Sequence, residues 1–240
     1  MSIPSSLSLV QLHSGQMQVF QSPHRFKVVC AGRRWGKSRL SISTIIRAAA
    51  KERKQRVWYV APTYQMARQI LWDDLQEVLP RKWIRKKNDT TMTIVLKNGS
   101  EIALKGADKP DTLRGVALHF VVLDEFQDMK PDTWYKVLRP TLSSTRGGAL
   151  IIGTPKGFSE FHKLWTIGQN KELQRKGQWK SWQFVTADSP FVPTAEIEAA
   201  KNDMDPKSFA QEYLASFENM SGRVYYPFDR SVHVKPLQFN

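Results

Sequence analysis

Ala31-Gly32-Arg33-Arg34-Trp35-Gly36-Lys37-Ser38 decides how the rest of this chain is read. It follows a short β-branched run, Phe26-Lys27-Val28-Val29-Cys30, and precedes a stretch in which Ile42, Ile45, Ile46 and Ala49 recur at helical spacing. Strand, glycine-containing loop and helix together are the setting of a phosphate-binding loop. Gly36 lets the backbone approach a polyphosphate closely. The free N–H groups and positive dipole end of the helix face the anion. Lys37 is then expected to reach the β- and γ-phosphates of ATP, and the Ser38 hydroxyl to hold Mg²⁺. Nucleotide contacts are expected along Ala31, Gly32, Arg33, Arg34, Trp35, Gly36, Lys37, Ser38 and Arg39. One feature departs from the usual pattern: the opening glycine position is Ala31, the glycine has slipped to Gly32, and two arginines follow.

A second stretch agrees with the first. His119-Phe120-Val121-Val122-Leu123 is a continuous apolar run of the kind buried on both faces of a parallel sheet, and it ends in Asp124-Glu125. Ligands gather at the carboxyl ends of such strands, where a phosphate loop also sits. There Asp124 can hold Mg²⁺ through water, and Glu125 can polarise the attacking water. A third buried run, Ala149-Leu150-Ile151-Ile152-Gly153, leads into Thr154-Pro155-Lys156-Gly157. Thr154 is placed to sense a γ-phosphate or simply to make a turn.

Composition narrows the partners. The 240 residues suit one large domain, or one domain with a small appendage, and 41% hydrophobic residues is ordinary for a globular core. With 36 Lys+Arg against 22 Asp+Glu the formal charge is +14, which favours polyanions, nucleic acid first. The single cysteine, Cys30, excludes an internal disulfide and reads as a buried thiol rather than a nucleophile. No apolar run is long enough to span a membrane, and the first ten residues lack the basic region of a signal peptide. A soluble intracellular protein is expected.

The remaining elements follow in order. Residues 1–15 read as a loose polar arm, and Gln16 either meets an adenine edge or stays solvated. Arg56–Ala61 reads as a strand, and Tyr64–Leu79 as an amphipathic helix stopped by Pro80. The basic cluster Arg81, Lys82, Arg85, Lys86 and Lys87, with Trp83 beneath it, is either a solvated turn or a contact to a nucleic-acid backbone. Asn98-Gly99 predicts a hairpin with both turn residues at positive φ, on a sheet edge. Short helices are expected over 132–138, 158–167, 195–204 (capped by Thr194) and 207–217, with a strand over 181–186.

Five motifs, in this order, resemble the ATPase domain of the large terminase subunit, the DNA-packaging motor of tailed bacteriophages. They are A-G-R-R-W-G-K-S (31–38), V-A-P-T (60–63), L-R-G (113–115), V-V-L-D-E (121–125) and I-I-G-T-P-K-G (151–157). An arginine inside the loop, here Arg33, is usual in that family. The resemblance implies an α/β fold, a P-loop NTPase of the additional-strand (ASCE) type, with a mostly parallel sheet flanked by helices. It divides the chain into an ATPase core (1–177), a small C-terminal lid (178–222) and a linker (223–240) toward a nuclease domain not contained in the chain. It implies Gln16 on the adenine side, Thr154 as the residue coupling hydrolysis to movement, and Arg114 as an arginine finger acting on a neighbour's ATP, with Arg139 and Arg146 in reserve. The implied partners are double-stranded DNA, a portal protein, a small terminase subunit and further copies in a ring, in the host cytoplasm. No acidic cluster follows residue 157, so DNA cleavage is not expected. D-E-F-Q-D (124–128) also resembles the acidic motif of superfamily-one helicases, but the chain lacks the length and motifs of a second motor domain. A non-catalytic nucleotide-dependent DNA-binding module would not need the intact Lys37, Ser38, Asp124 and Glu125.

Overall fold

The computed structural model describes residues 9–217. Its frame is one eight-stranded sheet in the order β3-β4-β5-β2-β6-β7-β1-β8. The strands are β1 (Phe26–Ala31), β2 (Arg56–Ala61), β3 (Ile84–Asn88), β4 (Thr93–Leu96), β5 (Glu101–Gly106), β6 (Phe120–Asp124), β7 (Gly148–Gly153) and β8 (Trp179–Phe184). From β5 to β8 every pairing is parallel; β3, β4 and β5 pair antiparallel.

Both faces of the parallel part are covered, which is why its strands read as unbroken apolar runs. Val29, Tyr59, Val122 and Ile152 point to one face and pack with Leu40, Ile42 and Ile45 of α2 (Lys37–Lys51) and with Val19 and Phe20 of α1 (Ser14–Gln21). Val28, Val60, Leu123 and Ile151 point to the other, against Trp134, Phe161 and Leu164. Cys30 is fully buried there, its thiol pushed up by burial and donating to the Ala215 carbonyl at 3.5 Å.

Several expectations need correction. Helix α1 begins at Ser14, inside the expected loose arm, where the Gln16 side chain accepts from the His13 N–H. The 64–79 helix is built of α3 (Tyr64–Ala67), a π turn (Arg68–Trp72) and α4 (Asp73–Val78). Thr63 caps it by accepting from the Met66 N–H. The hairpin between β4 and β5 closes through a four-residue loop. Gly99 takes φ 85, but Asn98 is not left-handed: its side chain instead donates to the carbonyls of Ala49 and Glu52. The basic cluster is a turn only over its first residues. Arg81–Trp83 is a 3₁₀ turn, and Arg85, Lys86 and Lys87 lie exposed on the edge strand β3, while Trp83 packs against the core. Cations along an unpaired edge also guard it against strand addition.

The second helical region (Thr133–Leu138, π-helical) runs into α5 (Arg139–Thr141), and α6 (Glu160–Gln169) and α7 (Lys171–Arg175) precede β8. β8 pairs along its whole length with β1, so the core sheet runs past the boundary expected at 177. Beyond it come α8 (Thr194–Asp203) and α9 (Pro206–Glu212). Pro193 rather than Thr194 is the residue before α8, with no side-chain cap. α9 stops at Glu212, short of 217, and beyond it Ala215 is left-handed at φ 53. The expected linker 223–240 lies outside the described residues.

Candidate nucleotide-binding site

The register sets the site. Across β1 and β7, Cys30 stands opposite Gly153; across β6 and β7, Asp124 stands opposite Ile152. Ala31, Thr154 and Glu125 therefore leave their strands at nearly one level. A cleft of about 770 Å³ opens there, within the range that accepts a nucleotide-sized ligand. Its wall includes Arg33, Arg34, Gly36, Lys37, Ser38, Arg39, Glu125 and Thr154, so eight of the expected residues come together.

Gly36 caps α2 at φ 102, a conformation L side chains rarely adopt, and this turns the chain sharply enough to aim α2 at the cleft. Lys37 is buried. Its ammonium donates to Thr154 Oγ1 at 2.8 Å and to the carbonyls of Ala31 and Gly32 at 3.3 and 3.4 Å, with Glu125 Oε1 at 3.9 Å. Asp124 sits behind this wall and is 1% exposed. One carboxylate oxygen accepts from the Tyr59 hydroxyl at 2.7 Å, the other from the Glu125 N–H at 2.9 Å. Burial, then the Glu125 charge, pushes Asp124 up to about 6. Burial and the same carboxylate hold Tyr59 well above the ordinary phenol range, so it stays a donor. Glu125 itself is left-handed at φ 50, which turns its side chain out into the cleft.

Other residues of the loop support it from behind. Gln16 is fully buried; its amide nitrogen donates to the Gly36 carbonyl (2.8 Å) and its amide oxygen accepts from the His13 N–H (3.0 Å). Trp35 is fully buried and stacked on Phe184 with centroids 4.6 Å apart, which anchors the loop. Ala31 and Gly32 contribute carbonyls to Lys37 but no cleft wall. The slipped glycine has its own reason: a Cβ on Gly32 would come within 2.5 Å of Thr186 Oγ1 and 2.7 Å of the Tyr213 carbonyl. Arg33 is bound to the same C-terminal segment, its N–H to the Glu212 carbonyl and its guanidinium to the Glu212 carboxylate.

Arg114 is off the cleft wall. It donates to Asp111 at 2.8 Å and to the Lys136 carbonyl at 3.1 Å, and is half exposed. The loop carrying it spans the full height of the sheet, because β5 and β6 both run parallel to β2. Position before β6 does not by itself put Arg114 at the far end. Arg81, Lys82, Arg85, Lys86 and Lys87 lie at the opposite edge from β8, also away from the cleft. Sequence reasoning missed Gln127, Asp128, Lys156, Phe191 and Glu212 on the wall. Of these, Gln127 and Asp128 stood in the D-E-F-Q-D motif; Glu212 had no local signal.

In the sheet, β7 is inserted between the strand that feeds the phosphate loop and the strand that ends in the acids. That order, with Lys37 and Glu125 facing each other across the inserted strand's end, defines a P-loop nucleoside triphosphatase of the additional-strand type. The comparisons with known proteins are specific. Residues 28–231 match the family model described as terminase large subunit, T4likevirus-type, N-terminal. The large terminase subunit of Escherichia phage T5 is 31% identical over 219 residues, covering 90% of this chain and 49% of that protein. That of Thermus phage G20c is 32% identical over 247 residues, 95% of this chain and 47% of that protein. Among solved structures, the ATPase domain of the Thermus phage P74-26 large terminase superposes with a TM-score of 0.74 at 26% identity, covering 87% of this chain and 94% of that one. The chain belongs to the terminase large-subunit family and spans about half the length of the curated relatives it matches.

Proposed function

We propose that this chain is the ATP-hydrolysing motor part of a terminase that drives double-stranded DNA into a viral procapsid. The observation that carries the reading is the convergence of Lys37, Thr154 and Glu125 at one end of the parallel sheet. Phosphoryl transfer is catalysed mainly by positioning and charge stabilisation. ATP phosphates on the loop draw Lys37 away from Thr154 and the loop carbonyls. Glu125, presented by its left-handed backbone, polarises the attacking water. Arg33 adds positive charge at the loop, and Thr154, released by Lys37, passes the change to the segment after β7. Nucleotide-bound forms of a large terminase from a thermophilic bacteriophage share the fold.

The oxygen donors fit Mg²⁺. Ser38 lines the cleft, and the buried Asp124 carboxylate, costly to keep charged, gains from a nearby cation. Ser38 would hold the ion directly and Asp124 through water. Once bound, such an ion neutralises charge on the β- and γ-phosphates.

The segment past β8 acts as the lid, tied to the loop through Thr186, Glu212 and Tyr213. Double-stranded DNA is held by phosphate contacts, with the exposed β3 cations Arg85, Lys86 and Lys87 and the adjoining Arg81 and Lys82 as one contact. A portal protein, a small terminase subunit and a ring of copies in the host cytoplasm complete the machine. The test is phosphate release by the purified chain with Mg-ATP, with and without long duplex DNA. Release that DNA stimulates at low salt, with the stimulation lost at moderate salt, is expected. Tight nucleotide and DNA binding without release would leave only a binding module. Separation of a forked duplex would instead favour a helicase.

A further inference from the structure

The acid Glu125 is held from two sides, and only one hold survives if Lys37 turns to phosphates. Its Oε1 faces Lys37 at 3.9 Å. Its Oε2 accepts from Gln127 Nε2 at 2.6 Å. The same amide nitrogen lies 3.3 Å from Asp128 Oδ2, and Asp128 Oδ1 accepts from Lys156 at 2.8 Å. Chemistry sets the orientation of the amide, since the reverse would put its oxygen against a carboxylate oxygen. The amide oxygen is buried with no hydrogen-bond partner and packs against Gly153, where a Cβ would come within 2.1 Å of it. A buried acceptor left unpaired is uncommon and calls for an explanation. Lys156 and Asp128 are both exposed, so their pair is a weak tether, and the burden falls on Gln127 and Gly153.

Resting on the reading of this cleft as an ATP-hydrolysing site, we infer that Gln127 is a positioning residue for Glu125. Gly153 leaves room for its amide, and Asp128 and Lys156 link it to the segment after β7. That segment then reaches Glu125 by two routes, Thr154 through Lys37 and Lys156 through Asp128 and Gln127. Gln127, seated against Gly153, holds the water-polarising carboxylate in place even when Lys37 is engaged elsewhere.

Gln127→Glu keeps the shape and replaces the donor by an acceptor. It is expected to lower kcat about tenfold or more while ADP affinity stays within about twofold. Gly153→Ala, which displaces the amide, is expected to do the same, and the double variant to lose much less than the product of the two. A second readout needs no turnover. In ¹H–¹⁵N spectra of the whole chain, the Gln127 side-chain amide signals, assigned by their loss in Gln127→Glu, shift in Glu125→Gln. Amide signals that do not move, kcat within about twofold of wild type in Gln127→Glu, or loss of kcat only in step with ADP affinity, each overturns the inference. A chain that shows the amide shift but hydrolyses no ATP overturns the ATPase reading and supports the Gln127 contact.

Discussion

Lys27 is a buried lysine near the start of β1, and it shows how much local energy the fold spends there. Its ammonium donates to the Val19 carbonyl at 3.0 Å and has no carboxylate partner among the described residues; the charge that acts on it is that of Arg47. Burial, then Arg47, lowers it to about 7. Between about pH 7 and the ordinary lysine value the unfolded chain binds this proton and the folded chain does not, so Lys27's contribution to stability rises with pH across that window. Below pH 7 both states carry the charge and the full penalty stands. Lys27→Met removes it. Thermal unfolding at pH 7 is expected to rise by about 2–6 °C, and the gain over wild type to shrink as pH rises toward 10. A gain that stays constant with pH would show that packing, not charge, was the cause.

At the scale of elements, the junction between the phosphate loop and the C-terminal segment is where glycine is indispensable. Gly32 meets Thr186 and Tyr213 at distances no Cβ tolerates, and the Thr186 hydroxyl donates to the Arg33 carbonyl at 2.9 Å. Gly32→Ala is expected to cost about 2 kcal/mol in denaturant unfolding and to weaken ATP binding, because relief requires the C-terminal segment to move off the loop. Unchanged stability would mean that segment yields freely. The same junction marks what could be read in advance. β1, β2, β6 and β7 were legible because strands buried on both faces must be apolar throughout, and Lys37, Ser38, Asp124 and Glu125 because they sit where such strands end. β8 was read as a strand but not as part of the core, since Trp179-Lys180-Ser181-Trp182 lacks the β-branched run of its neighbours. The basic edge strand β3 was hidden because it pairs on one side only. The roles of Gln16, Trp35 and Glu212 rest on contacts between distant segments, which no local pattern encodes.

For the molecule as a whole, the proposed hydrolysis calls for positive charge at the transition state beyond what Lys37 and Arg33 would supply. Arg114 is half exposed and, among the described residues, bound to Asp111 and a backbone carbonyl, contacts it can give up at a subunit interface. A guanidinium inserted at a γ-phosphate is worth about three to five orders of magnitude in rate. If Arg114 acts on a neighbour, Arg114→Ala and Glu125→Ala are each nearly inactive, and mixed assemblies recover activity at interfaces that pair an intact Arg114 with an intact Glu125. No recovery in verified mixed rings, or full activity in a strictly monomeric protein, rules out action in trans and turns attention to Arg139 and Arg146. Arg139 now lies over the Phe26 ring at 4.8 Å.

The central claim is that the Ala31–Ser38 loop binds ATP while Glu125 hydrolyses it. It is tested most directly by measuring nucleotide affinity and single-turnover hydrolysis together in wild type, Lys37→Ala and Glu125→Ala. Lys37→Ala is expected to lose both, because a phosphate contact is gone. Glu125→Ala is expected to bind ATP as wild type does while hydrolysis falls by at least about 100-fold. Hydrolysis by Glu125→Ala at near the wild-type rate, with ATP affinity intact, would contradict the account.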